Sequence, residues 1–250
     1  MTIRRVLLPG VPIPADDYLA LVAALPGSTV VLDTLSTPVT RATTELRAAL
    51  SLPDRVPYEL VGHSIGALAA LEWAALHPLA VSRVVLLDPA DPWGAPVPAA
   101  LGGAAGTVLS GSVSLLARSR LAARTLGRWG RRTVLRSYGV SADHLSPGRV
   151  DELFGTRAGL MAITEQVTGV PTQVARVRAL LERGFRPPDI VVIGASAGQP
   201  GDRAATERLA AHLGTRVIPV PGAHLFPMTH PEATAAAMSA ATTGTATSAA

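Results

Sequence analysis

Short unbroken runs of Val, Ile and Leu recur along the chain, at Val6–Leu8, Thr29–Leu32, Tyr58–Val61, Val84–Leu87, Ile190–Ile193 and Arg216–Val220. Continuous rather than alternating apolarity suits strands covered on both faces, the condition of a parallel sheet. Between the runs lie Ala/Leu patterns of helical length at Leu19–Leu25, Thr40–Leu50, Ala67–Leu76, Ala204–Leu213 and Pro231–Ala241. The order β-α-β-α-β-α-β, a long interruption, then β-α-β-α predicts an α/β fold: a doubly wound, mostly parallel sheet of about six strands. The core is expected over residues 1–90 and 187–241. Residues 91–186 are too many for a loop and are expected to form an inserted helical lid. Its helical pieces are read over Gly106–Leu126, Pro147–Gln166 and Val174–Arg183, broken by Gly102-Gly103, Gly127, Gly130 and Pro171. Residues 242–250, all Ala, Thr, Ser or Gly, are expected to be a disordered tail.

Composition narrows the chemistry. The chain has no cysteine, which excludes disulfide frameworks, thiolate metal sites and thiol catalysis. All 22 basic residues are arginine, so Schiff-base and lysine-nucleophile chemistry are excluded too. A net charge of +4 does not by itself call for a nucleic-acid partner, and none is expected. The apolar run near Met1 is soon interrupted by Pro9-Gly10, Pro12 and Pro14. That is too short for a signal-peptide core or a membrane span, so it reads as the first core strand of a cytoplasmic protein.

One pentapeptide carries the candidate chemistry, and it occurs twice. Gly62-His63-Ser64-Ile65-Gly66 and Gly194-Ala195-Ser196-Ala197-Gly198 both match Gly-x-Ser-x-Gly. In a nucleophile elbow a strand ends, the serine sits on a sharp turn, and a helix starts at once; the glycines remove Cβ atoms that would collide. Ser64 follows Tyr58-Glu59-Leu60-Val61 and precedes Ala67–Trp73, an immediate helix. Ser196 follows a good strand, but Gln199-Pro200-Gly201 is expected to delay its helix. Ser64 is therefore the candidate nucleophile, and Ser196 reads as a loop serine.

A serine hydroxyl needs a base, and the base needs an orienting acid. His63 lies within the elbow, where its backbone position keeps it from Ser64; His77, His144, His212 and His230 read as helix-end, lid, helix and helix-start residues. His224 follows the last strand, on a loop at the sheet edge where open α/β sheets place chemistry, and is the candidate base. The acid is open at this stage. Asp88 ends the strand Val84–Leu87, Asp202 lies after the next-to-last strand, and Asp91 is a third choice.

The succession Leu7-Leu8-Pro9-Gly10, Gly62-His63-Ser64-Ile65-Gly66, Leu86-Leu87-Asp88-Pro89 and Gly222-Ala223-His224-Leu225-Phe226-Pro227 resembles the α/β-hydrolase superfamily. The likeness extends over nearly all of the chain outside residues 91–186. It implies that the backbone N–H groups of Val11 and Ile65 form the oxyanion site. Three features depart from the family pattern. Pro9-Gly10 stands where His-Gly is usual, the two leading antiparallel strands are missing, and Ala195-Ser196-Ala197-Gly198 occupies the usual place of the acid. Some members carry the acid one strand earlier, and Asp88 matches that arrangement.

The lid carries Arg120, Arg124, Arg128, Arg132 and Arg136 at four-residue intervals, with Arg118 and Arg131 beside them. On a straight helix each such step advances about 40°, so the row wraps rather than forming one face. It reads first as a solvated basic surface, and second as a site for an anionic substrate group, a carrier protein or a membrane surface. Small apolar residues dominate the rest of the lid, and Trp93 stands either at the pocket mouth or in ordinary packing. The reading is a serine hydrolase acting on an ester or thioester of a hydrophobic small molecule, with no metal or organic cofactor. The rivals are a cyclase, lyase or isomerase using the same pocket, and a binding protein on a degenerate scaffold. An Asp-nucleophile hydrolase is disfavoured because the elbow carries serine.

Overall fold

The structure, a computed structural model, describes residues 4–52, 56–94, 103–140, 143–187, 189–198 and 200–243. Its first half runs β1 (Arg4–Leu8), α1 (Leu19–Ala24), β2 (Ser28–Val31), α2 (Thr43–Ala49), β3 (Tyr58–His63), α3 (Ile65–Leu76) and β4 (Val81–Leu87). Four helices follow: α4 (Gly103–Leu116), α5 (Arg120–Ser137), α6 (Pro147–Phe154) and α7 (Arg157–Glu182). The chain then returns through β5 (Ile190–Ala195), α8 (Pro200–His212), β6 (Val217–Val220), a turn of helix α9 (Phe226–Thr229) and α10 (Pro231–Thr243). The strands form one six-stranded sheet, order β2-β1-β3-β4-β5-β6, with every neighbouring pair parallel. All six predicted strands are present, with ends displaced by at most three residues. The predicted tail, 242–250, lies mostly outside the described residues.

Because side chains alternate across a strand, one apolar run feeds two cores. Val6, Leu8, Leu60, Val84, Leu86 and Val192 pack on one face beneath α3 and α7. Leu7, Val61, Val85, Leu87, Val191 and Ile193 pack on the other, with Leu21 of α1 and Met238 of α10. The chain leaves β1 for β2 on one side, then crosses to β3 on the other. The C-terminal ends of β1 and β3 therefore flank a topological switch point, where such sheets open a crevice.

The helices between β4 and β5 differ from the expected breaks. The piece expected over Gly106–Leu126 is two helices, α4 and α5, the second capped by Ser119, whose hydroxyl accepts the Ala122 N–H at 3.4 Å. Gly127 and Gly130 do not interrupt α5. Gly127 instead permits contact: a Cβ there would stand 2.2 Å from the carbonyl oxygen of Phe154 at the end of α6. The piece expected over Pro147–Gln166 divides at Gly155-Thr156, where Thr156 caps α7 by accepting the Gly159 N–H at 3.0 Å. Pro171 lies within α7 and does not end it. A proline inside a helix costs about 3 kcal/mol, and packing on both sides of it offsets that cost. Val170, Val174, Val177 and Leu181 are buried against α3. Gln166 and Gln173 donate from either side of the proline to the carbonyls of Thr34 and Val39. Thus α7 belongs to the same hydrophobic core as the sheet. Among the described residues no helix is long and apolar enough to cross a membrane.

Candidate active site

The chain turns from β3 into α3 within one residue, Ser64, with φ 55° and ψ −119°. An L-residue there is strained, and the surroundings hold it. The Ser64 N–H donates to the Leu87 carbonyl (3.0 Å), and its own carbonyl accepts the N–H groups of Ala67 and Ala90 (3.1 Å each). The flanking glycines are needed for close approach. A Cβ on Gly62 would stand 2.4 Å from the Gly66 carbonyl oxygen, and one on Gly66 would stand 2.0 Å from that of Leu8. The turn leaves the first N–H groups of α3, next to Ser64, without helical partners.

Asp88, directly after β4, is also at positive φ, 41°. Among the described non-glycine residues only Ser51, Ser64 and Asp88 have this conformation, so two of the three meet at this site. The Asp88 N–H donates to the Ile193 carbonyl (2.7 Å), and its Oδ1 accepts the Ala195 N–H (3.2 Å). Its Oδ2 lies 2.6 Å from His224 Nδ1. Burial opposes ionisation of Asp88, but the His224 hydrogen bond and charge, with the Ala195 N–H, hold its carboxyl below the usual value of 3.8. An ionised carboxylate only accepts, so His224 Nδ1 donates to Asp88, and Nε2 is the ring nitrogen left for other partners. The His224 ring lies between two others, His63 (centroids 4.9 Å apart, planes at 36°) and Tyr138 (4.5 Å, 34°).

Ser64 and His224 both line a cavity of about 450 Å³. Val11 and Ile65, whose N–H groups are the candidate oxyanion donors, line it as well. Val167, Val170 and Val174 of α7 form an apolar wall, and Tyr138 lies at the end of α5. Among the described residues no arginine lines this cavity, whereas Asp88, Asp91 and Asp202 do.

A sequence profile described as the alpha/beta hydrolase family matches residues 6–237. The chain belongs to the α/β-hydrolase family. Its fold is shared by many solved structures. Cfl2 from Burkholderia cenocepacia is 22% identical, with TM-score 0.67 over 96% of this chain and 87% of that one. The thioesterase domain from the curacin biosynthetic pathway is 15% identical, with TM-score 0.59 over 95% and 91%. A haloalkane dehalogenase loop variant from Bradyrhizobium elkanii is 16% identical, with TM-score 0.61 over 98% and 91%. No curated protein matches the sequence.

The remaining residues singled out from the sequence of this α/β hydrolase lie as follows. Asp202 is exposed in the first turn of α8, on the cavity wall and away from His224 Nδ1, which Asp88 occupies. Asp91 is paired with Arg208. Ser196 lies in an ordinary turn after β5, and α8 begins at Pro200 rather than directly after the serine, as α3 does after Ser64. Proline suits the first helical position, where its missing N–H is not used. Trp93 packs against the His212 ring (4.9 Å) and is a packing residue. The arginine row wraps α5 as expected, but with partners. Arg124 and Arg128 pair with Asp151, and Arg131 is buried between Asp17 and Asp143. Arg132 and Arg136 are exposed and line a separate cavity of about 340 Å³ with Arg128, Leu135, Val140 and Val150. Among the described residues no group of His, Asp and Glu is placed to hold a metal ion. Tyr18 and Tyr138 are residues that sequence reasoning missed. Neither lies in a motif; Tyr138 packs on the His224 ring and Tyr18 meets His63, both only through tertiary packing.

Proposed function

We propose that this chain is a serine hydrolase of a small apolar ester or thioester, with Ser64 as nucleophile, His224 as base and Asp88 as orienting acid. The observation that carries it is the 2.6 Å Asp88–His224 contact beside an elbow serine held at positive φ. His224 Nε2 takes the Ser64 hydroxyl proton as Oγ adds to the carbonyl carbon. The resulting oxyanion lies toward the Val11 and Ile65 N–H groups, a contribution of about 3 kcal/mol per donor in comparable sites. The imidazolium, stabilised by Asp88, gives its proton to the departing alcohol or thiol, leaving an acyl group on Ser64. Water then adds with the same proton traffic and releases the acid.

The valine wall and the cavity of about 450 Å³ favour a compact apolar acyl group. Three carboxylates and, among the described residues, no arginine along the cavity disfavour a carboxylated substrate. An anionic carrier would instead meet Arg132 and Arg136 at their separate cavity on α5. Of the lid expected over residues 91–186, the part from α4 to α6 would then serve as the lid, with α7 belonging to the core.

The test is fluorophosphonate labelling with mass-spectrometric mapping, alongside turnover of neutral activated esters and thioesters. Label on Ser64 with turnover supports the reading, and label on Ser196 or none overturns it. Label on Ser64 with no ester or thioester turnover favours a cyclase, lyase or isomerase. Charge reversal at Arg132 and Arg136 that leaves low-salt affinity for an acidic carrier protein unchanged removes the carrier.

A further inference from the structure

The elbow holds a second histidine that the proposed chemistry does not use. His63 is fully buried, and both its ring nitrogens are engaged away from Ser64. Its Nε2 lies 2.9 Å from the backbone carbonyl oxygen of His224, its Nδ1 lies 2.6 Å from the Tyr18 hydroxyl, and the Gly10 N–H donates to that hydroxyl at 3.0 Å. These contacts admit one proton arrangement. A carbonyl oxygen can only accept, so Nε2 carries the His63 proton. Burial first, then the neighbouring His224 charge, pushes the His63 ring down to about 3, so it is neutral and Nδ1 offers a lone pair. Burial first, and then the Asp17 charge, keeps the Tyr18 phenol protonated, although the Gly10 bond acts the other way. The phenol therefore donates to Nδ1 and accepts from Gly10. Every donor in the chain Gly10 → Tyr18 → His63 → His224 has an acceptor, and none is shared.

We propose that His63 and Tyr18 are positioning residues that tie the His224 loop to the Gly10-Val11 turn, holding the base and the first oxyanion donor in one frame. The idea rests on the Ser64–His224–Asp88 reading. Two loops from opposite ends of the chain, at residues 10 and 224, are joined by a buried hydrogen-bonded strut. Gly10 itself passes close beneath the elbow: a Cβ there would meet Ser64 Cβ at 3.1 Å and His63 Nδ1 at 3.2 Å. The Asp88 contact fixes the His224 ring at one edge, and the strut fixes the backbone that carries it. This arrangement also supplies a support for the Pro9-Gly10 turn, where the family pattern has His-Gly.

The test uses the full chain and four proteins: wild type, Tyr18→Phe, His63→Leu and His63→Gln. Misplacing a catalytic group by about 1 Å can cost roughly a hundredfold in rate. Accordingly, His63→Leu is expected to lower kcat about 100-fold and Tyr18→Phe about 10-fold, each with KM changed less than about twofold. The His63→Gln amide can still donate to the His224 carbonyl and is expected to recover about tenfold over His63→Leu. Folded Tyr18→Phe and His63→Leu proteins with kcat within about twofold of wild type would overturn the proposal. A second arm does not depend on turnover or on the variants folding. In ¹⁵N spectra of the wild type, His63, facing His224, Asp88 and Tyr18, is expected to show a protonated Nε2 and an unprotonated Nδ1 from pH 5 to 8. A protonated Nδ1, or titration of His63 in that range, would also overturn it. Absence of fluorophosphonate label on wild-type Ser64 is the separate result that sinks the underlying triad.

Discussion

The two Gly-x-Ser-x-Gly segments have the same pattern and different physics. At Ser64 the serine is at φ 55°, and a Cβ on either flanking glycine would fall within 2.4 Å of a carbonyl oxygen. At Ser196 the backbone keeps an ordinary φ, and its N–H simply extends the β5–β6 pairing to the Val220 carbonyl at 2.9 Å. A Cβ on Gly198 would lie 3.7 Å from Ala195 Cβ, ordinary contact. The first segment is compressed between β1 and α3, and its glycines are required. In the second, a Cβ on Gly194 would press on side chains, Val217 nearest at 2.8 Å, rather than on backbone, and the last glycine, Gly198, is incidental. A motif thus becomes an elbow only where a neighbouring strand presses the helix start against it.

The contrast can be broken most directly at the serines themselves. Ser64→Ala is expected to lower ester turnover by about 10⁴- to 10⁶-fold and abolish fluorophosphonate labelling. Ser196→Ala should stay within about twofold of wild type, as for other exposed substitutions. The reverse pattern would move the nucleophile to the second segment. The acids offer the next test. Asp88→Asn should lower kcat about 10⁴-fold with little change in KM, because the imidazole loses its orienting acceptor. Asp202→Asn, at the exposed start of α8, should have less than about a threefold effect on kcat, and steady-state kinetics would reveal the opposite order.

Stability sharpens the same comparison. Gly66→Ala forces a backbone clash and should cost at least about 3 kcal/mol in urea unfolding. Gly198→Ala should cost no more than about 0.5 kcal/mol. Equal costs would mean that the first elbow is not compressed. The smallest effect is in acid. The Asp88 carboxyl is held below its usual value of 3.8, so its contribution to stability is full above that pH and is lost as pH falls through the lower folded value. Asp88→Asn should therefore flatten the acid limb of a stability-against-pH curve below about pH 4, and an unchanged limb would remove the ionised-Asp88 assignment.

How much was readable varied with how local the cause was. The six strands were legible because burial on both faces demands unbroken Val/Ile/Leu runs, a rule that acts within a few residues. The Ser64 elbow was legible because strand, turn and helix adjoin in sequence. Pro171 and Gly127 misled for the matching reason. Both are local helix breakers, but Pro171 is held by core packing around it and Gly127 lies where α6 crosses α5. Tyr138 carries no signal at all. It caps the C-terminal end of α5, and its place beside His224 follows from how that helix lies on the sheet.

By itself, the sequence determined the fold class, the chemistry available without cysteine or lysine, and a serine on a turn between strand and helix. Spacing left Asp88, Asp202 and Asp91 as candidates to orient the base, and the family resemblance favoured Asp88. Only the tertiary structure decided that Asp88 meets His224, 136 residues away, and that His63 faces Tyr18 and the His224 backbone rather than Ser64. The reason is range. Periodicity and turn preference are set by neighbours along the chain, whereas a contact between side chains on different strands depends on the register and packing of the whole sheet.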